Sequence, residues 1–277
     1  MSLTIAALIA QAGERLKAAG FKDPGREARL LVAKATEVPA ARLSLEAREA
    51  ATEQQQSTLN SLLARRMARE PMSHIIGQRA FYKHDFKVTA DTLDPRPETE
   101  ALILAALERP FSRLLDLGTG TGAIALSLLA ERPTATGIAT DLSQGALGVA
   151  HENALAVGVA DRVELIQSDW YAHVSGTYDL IVSNPPYIAM EEMASLAPEL
   201  SYEPRMALTD EADGLTAYRK IAAGAPAHLT SGGWLMVEIG WQQSADVATL
   251  FENAGLKNIA VLPDLDGRDR VVTGQNL

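Results

Sequence analysis

Cysteine is absent from the 277-residue chain. That removes disulfides, cysteine-ligated zinc, iron–sulfur clusters and thiol nucleophiles together. Histidine is scarce. The five residues His74, His84, His151, His173 and His228 show no H-x-x-x-H or other ligand spacing, so no metal site is expected. Long apolar runs are missing too. The stretch 3–10 lacks a basic leader and soon meets Glu14 and Arg15. It fits neither a secretory signal nor a membrane span, and a soluble cytoplasmic protein is the expectation. Positive charge is in deficit, with 25 Lys+Arg against 35 Asp+Glu. Residues 1–70 hold 11 basic and 8 acidic side chains, whereas residues 71–277 hold 14 and 27. So acidic a segment repels a phosphate backbone, because nucleic-acid affinity rests mostly on Lys and Arg.

What is present is ordinary for a globular protein: 47% hydrophobic and 22% charged residues. Residues 1–70 read as helices. Ser2 or Thr4 is placed to cap the first. Ile5, Leu8, Ile9, Ala12 and Leu16 share one face of a 3.6-residue period. Gly20 supplies a stop, and Asp23-Pro24 opens a second helix with proline at its first position. Leu30, Leu31, Ala35 and Val38 continue that face. Leu59, Leu62, Leu63 and Met67 form a third. This segment carries no catalytic constellation and reads as a docking bundle. Residues 81–88 are aromatic and β-branched with partial alternation, which suggests a hairpin. The expected boundaries are a helical domain 1–75, a hairpin linker 76–97 and a main domain 98–277.

From Arg113 onward, apolar runs at 113–117, 136–140, 163–167, 179–183 and 234–239 alternate with helical patterns such as 123–131 and 144–157. Such alternation predicts a parallel sheet covered by helices. The last two runs, 258–262 and 270–273, are separated by too few residues for a crossover helix, so they should pair antiparallel. A dinucleotide-binding domain would end on a parallel strand instead.

Three motifs sit at predicted strand ends. Gly118, Thr119, Gly120, Thr121 and Gly122 follow the first strand and open a helix, where glycines let the backbone approach a ligand. The pattern Gly118-x-Gly120-x-x-Ala123 does not by itself separate a nicotinamide dinucleotide from S-adenosylmethionine. Asp141 closes the second strand, where a carboxylate accepts from ribose hydroxyls in either ligand. Asp116, just before the glycines, would repel a pyrophosphate and attract a cation. Asp169 and Trp170 follow the third strand and suit an adenine. Asn184-Pro185-Pro186-Tyr187 follows the fourth. Its two prolines make a stiff turn. That turn offers the Asn184 side-chain oxygen and the Pro185 carbonyl as paired acceptors for a planar NH2 group, with Tyr187 as a flat wall. Holding those hydrogens raises electron density on nitrogen and aims its lone pair.

The pairing of N-P-P-Y with D-L-G-T-G-T-G resembles the S-adenosylmethionine-dependent amino-group methyltransferases. Phe81-Tyr82-x-x-x-Phe86-x-Val88, Pro95-Arg96-Pro97-Glu98-Thr99-Glu100 and Asp264-x-x-Gly267-x-x-Arg270 narrow it. Over nearly its whole length the chain resembles the PrmC/HemK-type release factor glutamine methyltransferases. Asp94 departs from the pattern, which has an apolar residue before the Pro-Arg. The resemblance implies a class I methyltransferase fold, a Rossmann-like seven-stranded mixed α/β sheet with a helical N-terminal domain and a linking hairpin. It implies a cytoplasmic monomer that methylates the Gly-Gly-Gln glutamine of class I peptide chain release factors. By the same resemblance, Gly118, Thr119, Gly120, Thr121, Gly122, Asp141, Asp169, Trp170 and Asn184 hold the cofactor. Asn184, Pro185, Pro186 and Tyr187 grip the glutamine and carry catalysis, and Arg96, Glu98, Thr99 and Glu100 shape the pocket. The rival is an adenine or guanine methyltransferase of nucleic acid that shares N-P-P-Y. A third alternative is a non-catalytic docking module, against which the intact motifs argue.

Overall fold

The computed structural model describes residues 3–277. Ser2, a candidate cap, lies outside them. Two compact units emerge, one of residues 1–77 with Pro198–Tyr202, the other of Gln78–Ala197 with Glu203–Leu277.

The first unit is helical: α1 (Ile5–Ala18), α2 (Pro24–Thr36), α3 (Glu53–Met67) and the short α4 (Met72–Ile76). Thr4 Oγ1 caps α1 by accepting from the Ala7 amide at 3.2 Å, and Asp23 caps α2 through the Arg26 amide at 3.3 Å. Capping of this kind satisfies amides that the helix leaves unpaired. The apolar faces expected from periodicity meet in one core that includes Leu8, Leu16, Leu31, Leu59 and Leu63. Each fully buried leucine contributes about 1.5–3 kcal/mol. Met67, expected on that face, is 44% exposed instead, because it lies in the last turn of α3 beyond the packed stripe. Arg66 is bound to Glu27 at 2.8 Å and stacks 4.1 Å over the Phe21 ring. The distant segment Pro198–Tyr202 joins this unit. The Tyr202 hydroxyl donates to the Ala68 carbonyl at 2.7 Å, and Glu199 lies 3.5 Å from Arg66.

The second unit begins with the hairpin β1 (Gln78–Phe81) and β2 (His84–Lys87), paired antiparallel. Then come α5 (Glu100–Leu107), β3 (Arg113–Leu117), α6 (Ala123–Glu131), β4 (Thr136–Asp141), α7 (Gln144–Val157), β5 (Val163–Gln167) and β6 (Tyr178–Ser183). After a longer connection follow α8 (Arg205–Leu208), α9 (Thr216–His228), β7 (Leu229–Glu238), α10 (Ser244–Asn253), β8 (Lys257–Pro263) and β9 (Asp269–Gln275). The sheet runs β5-β4-β3-β6-β7-β9-β8, and β9 is antiparallel to both its neighbours. The closing antiparallel pair is the one expected from its short connection.

Both faces of the sheet are covered. Leu114, Leu180 and Val182 belong to the core beneath α5 and α6, while Leu115, Ile181 and Val237 belong to the core beneath α9 and α10. Strands buried on both sides read as continuous apolar runs. Asn153 of α7 ties the hairpin to the glycine loop, since its Nδ2 donates to the Lys87 and Thr121 carbonyls at 3.1 and 2.9 Å. No helix among the described residues is long and apolar enough to cross a membrane.

Candidate functional site

The carboxyl ends of β3, β4, β5 and β6 open into one cavity of about 620 Å3. Ligands of open α/β sheets bind at this edge. The loop from β3 to α6 needs glycine at three places: Gly118, Gly120 and Gly122 take φ of 71°, 55° and 82°, values that side chains with a Cβ rarely adopt. Gly118, Thr119, Gly120 and Thr121 line the cavity. Gly122 does not. A Cβ there would fall 2.7 Å from Leu126, so this glycine serves the packing of α6.

Asp116 is off the lining as well. It is fully buried, and its Oδ2 accepts from the Thr119 hydroxyl at 2.7 Å and the Ala125 amide at 3.3 Å. Its Oδ1 has no hydrogen-bond partner among the described residues, and burial pushes the carboxyl up to about 7. Asp116 therefore braces the loop against the start of α6 rather than facing a cationic ligand. Asp141 is on the lining, and its carboxylate accepts from the Gly120 amide at 2.8 Å and the Ser143 amide at 2.9 Å. Burial raises its pKa against these bonds. A carboxylate has about four acceptor positions, so capacity remains for a ligand.

Trp170 takes a left-handed φ of 52°, a strained conformation for a bulky residue. The turn brings its ring beside Gly118, 3.6 Å from where a Cβ would stand. Ser168 braces it by donating to the Trp170 carbonyl at 2.8 Å. Asp169 reaches the cavity rim, and its carboxylate lies 3.4 Å from Lys220 Nζ.

The turn after β6 contributes Asn184 and Pro186 to the lining, whereas Pro185 is buried and Tyr187 is half-buried against the second core. Burial raises the Tyr187 hydroxyl to about 12. The Asn184 Nδ2 donates to Thr99 Oγ1 at 3.3 Å. Its Oδ1 is left to accept on the cavity wall. Thr99 also lines the cavity, but Arg96, Glu98 and Glu100 do not. Arg96 holds Glu203 at 2.7 Å, which anchors the chain just ahead of the lining residues 204–207. The Glu100 carboxylate accepts from the Tyr82 amide at 3.0 Å and secures the hairpin turn. Glu98 is exposed.

Several wall residues escaped the motif analysis. Residues 91–95 close one side, and Arg205, Met206 and Thr216 close another. They carry no local pattern. Glu238 is a different case. It is a buried acid at the carboxyl end of β7, and burial pushes its carboxyl up to about 7. It escaped the motif analysis too, although a lone carboxylate inside the apolar run 234–239 is a signal that could have marked it.

Comparison with known proteins matches both units. Residues 7–77 fit the model of the PrmC N-terminal domain, and residues 89–214 that of the methyltransferase small domain. Among solved structures, a methyltransferase from Pyrococcus furiosus superposes with a TM-score of 0.54 at 17% identity. It covers 69% of this chain and 88% of its own, and it shares the fold. The release factor glutamine methyltransferase of Cereibacter sphaeroides is 56% identical over 94% of both chains. That of Rhodospirillum rubrum is 44% identical over 97% of this chain and 84% of its own. Alignments at this identity span nearly the whole chain, which a shared fold alone does not produce, and on that ground the chain belongs to the family of release factor glutamine methyltransferases.

Proposed function

We propose that this protein transfers a methyl group from S-adenosylmethionine to the side-chain amide nitrogen of the Gly-Gly-Gln glutamine in class I peptide chain release factors. The orientation of Asn184 carries the reading: its nitrogen is committed to Thr99, so an acceptor oxygen is left on the cavity wall.

The residues present fit that cofactor. Gly120 lines the cavity with nothing within 4 Å of where a Cβ would stand, so the backbone is open to a ligand. Asp141 offers acceptors for ribose hydroxyls, and Trp170 a flat face for adenine, with Asp169 at the rim. Bound there, S-adenosylmethionine supplies an electrophilic methyl on a positively charged sulfur. The chain does the rest. A primary amide nitrogen is a poor nucleophile, because its lone pair is delocalised into the carbonyl. Asn184 Oδ1 accepts from one of its N–H bonds and aims the nitrogen, and the Pro185 carbonyl, off the lining in this structure, would have to be reached by the amide for the second. Pro185 and Pro186 keep the turn from relaxing, and Tyr187 anchors it by packing against the second core. Arg96 and Glu100 act around the pocket by holding the segments that build it. The protein works as a cytoplasmic monomer on a protein substrate, without metal or nucleic acid.

Mass spectrometry of a release-factor peptide after incubation with enzyme and S-adenosylmethionine tests the reading. Methylated glutamine is the expected product. Labelled methyl in DNA or RNA, with none in the peptide, would favour the nucleic-acid alternative.

Asp141→Ala should weaken cofactor binding about ten- to a hundredfold, since a hydrogen bond to a charged group contributes about 1.5–3 kcal/mol. Calorimetric titration measures it, and an unchanged affinity would confine Asp141 to bracing Gly120 and Ser143. A chain beginning at Arg79 should still bind cofactor, because Asp141 and the glycine loop lie in the second unit. Its turnover on intact release factor should fall far more than on a short Gly-Gly-Gln peptide. Specific protein interfaces bury on the order of 1,200–2,000 Å2, more than one glutamine pocket offers. Equal losses on peptide and protein would mean that the helices only support the fold.

A further inference from the structure

The motif Asp264-x-x-Gly267-x-x-Arg270 contributes nothing to the cavity lining. It builds a turn. Asp264 Oδ1 accepts from the Asp266 and Arg268 amides at 3.0 and 3.1 Å, and its Oδ2 accepts from Arg270 Nε at 3.2 Å. Gly267 closes the turn with a φ of 80°. Arg270 Nη1 also donates to the Ile239 carbonyl at 2.9 Å, which ties this turn to the one after β7. Leu265 is held out on the first turn, 89% exposed, and Trp241 stands on the second, 55% exposed. A single exposed leucine needs no explanation, but two large apolar side chains on adjoining fixed turns do.

Both turns leave the sheet at the edge where the cavity opens. Val271 of β9 pairs with Glu238 of β7 and with Leu262 of β8, and Trp241 and Leu265 each lie three residues beyond those partners. The Trp241 turn is joined to the Asn184–Tyr187 turn. Gln243 Oε1 accepts from the Gly240 amide and Gln243 Nε2 donates to the Tyr187 carbonyl, both at 3.0 Å. A Cβ on Gly240 would stand 3.4 Å from the Tyr187 ring. Trp241 is thus next to the wall against which the proposed glutamine lies. The charge at this edge is one-sided. Residues 184–197, 203–215, 239–243 and 264–268, which leave β6, β7 and β8, hold eight acidic side chains and two basic ones. Of those two, Arg205 is taken by Glu211 at 2.5 Å, while the acids Glu191, Glu192 and Asp266 are exposed.

We propose that Trp241 and Leu265 form a docking surface for the stretch of the protein substrate that flanks its methylated glutamine, and that this stretch is basic with aliphatic side chains among its charges. The inference rests on the reading that a protein glutamine enters the cavity. Aliphatic groups cover the indole and the leucine, and Lys or Arg meets the acidic edge. A large aromatic side chain buries about 150–250 Å2, far below the roughly 1,200–2,000 Å2 of a stable protein interface. Two such side chains do not hold a second copy of this chain, but they suit a segment already anchored by its glutamine. A nucleic acid is repelled by the same acidic edge.

Trp241→Ala should raise KM for intact release factor about tenfold, the scale of losing an aromatic anchor, with kcat and S-adenosylmethionine affinity at wild-type values. Leu265→Ser should raise it less, the double variant more than either, and Trp241→Phe should restore most of the loss. On a short Gly-Gly-Gln peptide, which ends within its own pocket, all four variants should match wild type. Added salt should raise KM for the intact factor and leave that for the peptide unchanged. Equal losses on peptide and intact factor would overturn docking in favour of a structural role for the Trp241 turn. An unchanged KM in the double variant would also overturn it, and loss of a wild-type dimer in sedimentation alongside would give the surface to a second copy. A KM for intact factor that ignores salt would overturn the basic character of the segment. Calorimetric titration of intact factor, with S-adenosylhomocysteine in the cofactor site, reads the same surface without turnover, and Kd should rise in Trp241→Ala by the same factor as KM. Wild type that binds intact factor but methylates neither substrate would overturn the glutamine reading alone, while the ratio of Kd values still decides the docking.

Discussion

Replacing Asn184 with alanine is expected to keep S-adenosylmethionine binding while lowering turnover about 10²–10³-fold, the usual effect of deleting one preorganised hydrogen-bonding group and far more than any loss of affinity from this edge of the cofactor site. Asn184 stands at the carboxyl end of β6 next to the buried Pro185. Among the described residues its side chain makes one hydrogen bond, to Thr99. Removing it therefore opens little of the core, and the fold should survive. What disappears is the acceptor that holds the amide hydrogens away from the attacking lone pair. Calorimetric titration of the cofactor and turnover on a glutamine peptide separate the two effects. A variant that keeps wild-type turnover would take Asn184 out of the mechanism.

Gly214→Ala is expected to lower turnover about 10²-fold from outside the cavity lining, the scale expected when a reacting group is misplaced by about 1 Å. Gly214 has a φ of 77°, and a Cβ there would collide with the Tyr187 carbonyl oxygen. That carbonyl is fixed: Gln243 Nε2 donates to it at 3.0 Å and to the Gly214 carbonyl at 3.3 Å, while Gln243 Oε1 accepts from the Gly240 amide at 3.0 Å. One side chain thus clamps three backbone segments, and an added methyl pushes the Asn184–Tyr187 turn out of place. Left-handed strain adds about 1–2 kcal/mol and overpacking about 1–3 kcal/mol, so the melting temperature should fall too. Gly158→Ala is the control. Gly158 has a φ of 80° with nothing within 4 Å, so it should lose stability through strain alone and keep its turnover. If the two variants lose turnover alike, general destabilisation rather than displacement of the turn is the cause.

Much of the second unit was legible because its signals are local. The glycines of the loop, the prolines after Asn184 and the cap at Asp23 act through their own backbone or near neighbours. Helix α7 spans the residues its periodicity marks. The antiparallel β8–β9 pair followed from a connection too short for a helix. Motifs at strand ends pointed to the right edge of the sheet, since parallel strands deliver their carboxyl ends to one side.

Within a motif, the sequence did not say which residue faces the cavity. Gly122 is adjacent in sequence to lining residues yet packs against Leu126. Glu100 belongs to the same short stretch as Thr99, but its carboxylate goes to the Tyr82 amide. The orientation of Asn184 depends on Thr99, 85 residues away, and the placing of Arg96 on Glu203, 107 residues away. Pro198–Tyr202 leaves the second unit to join helices that precede it by more than a hundred positions. The chain by itself determined the elements, their order and the chemistry stationed at the strand ends, because backbone preference, periodicity and connection length act over a few residues. The tertiary structure alone decided which of those groups reach the cavity, which brace its walls and which way an amide points. Those outcomes are set by contacts between distant segments, where burial and hydrogen-bond satisfaction outweigh any local preference.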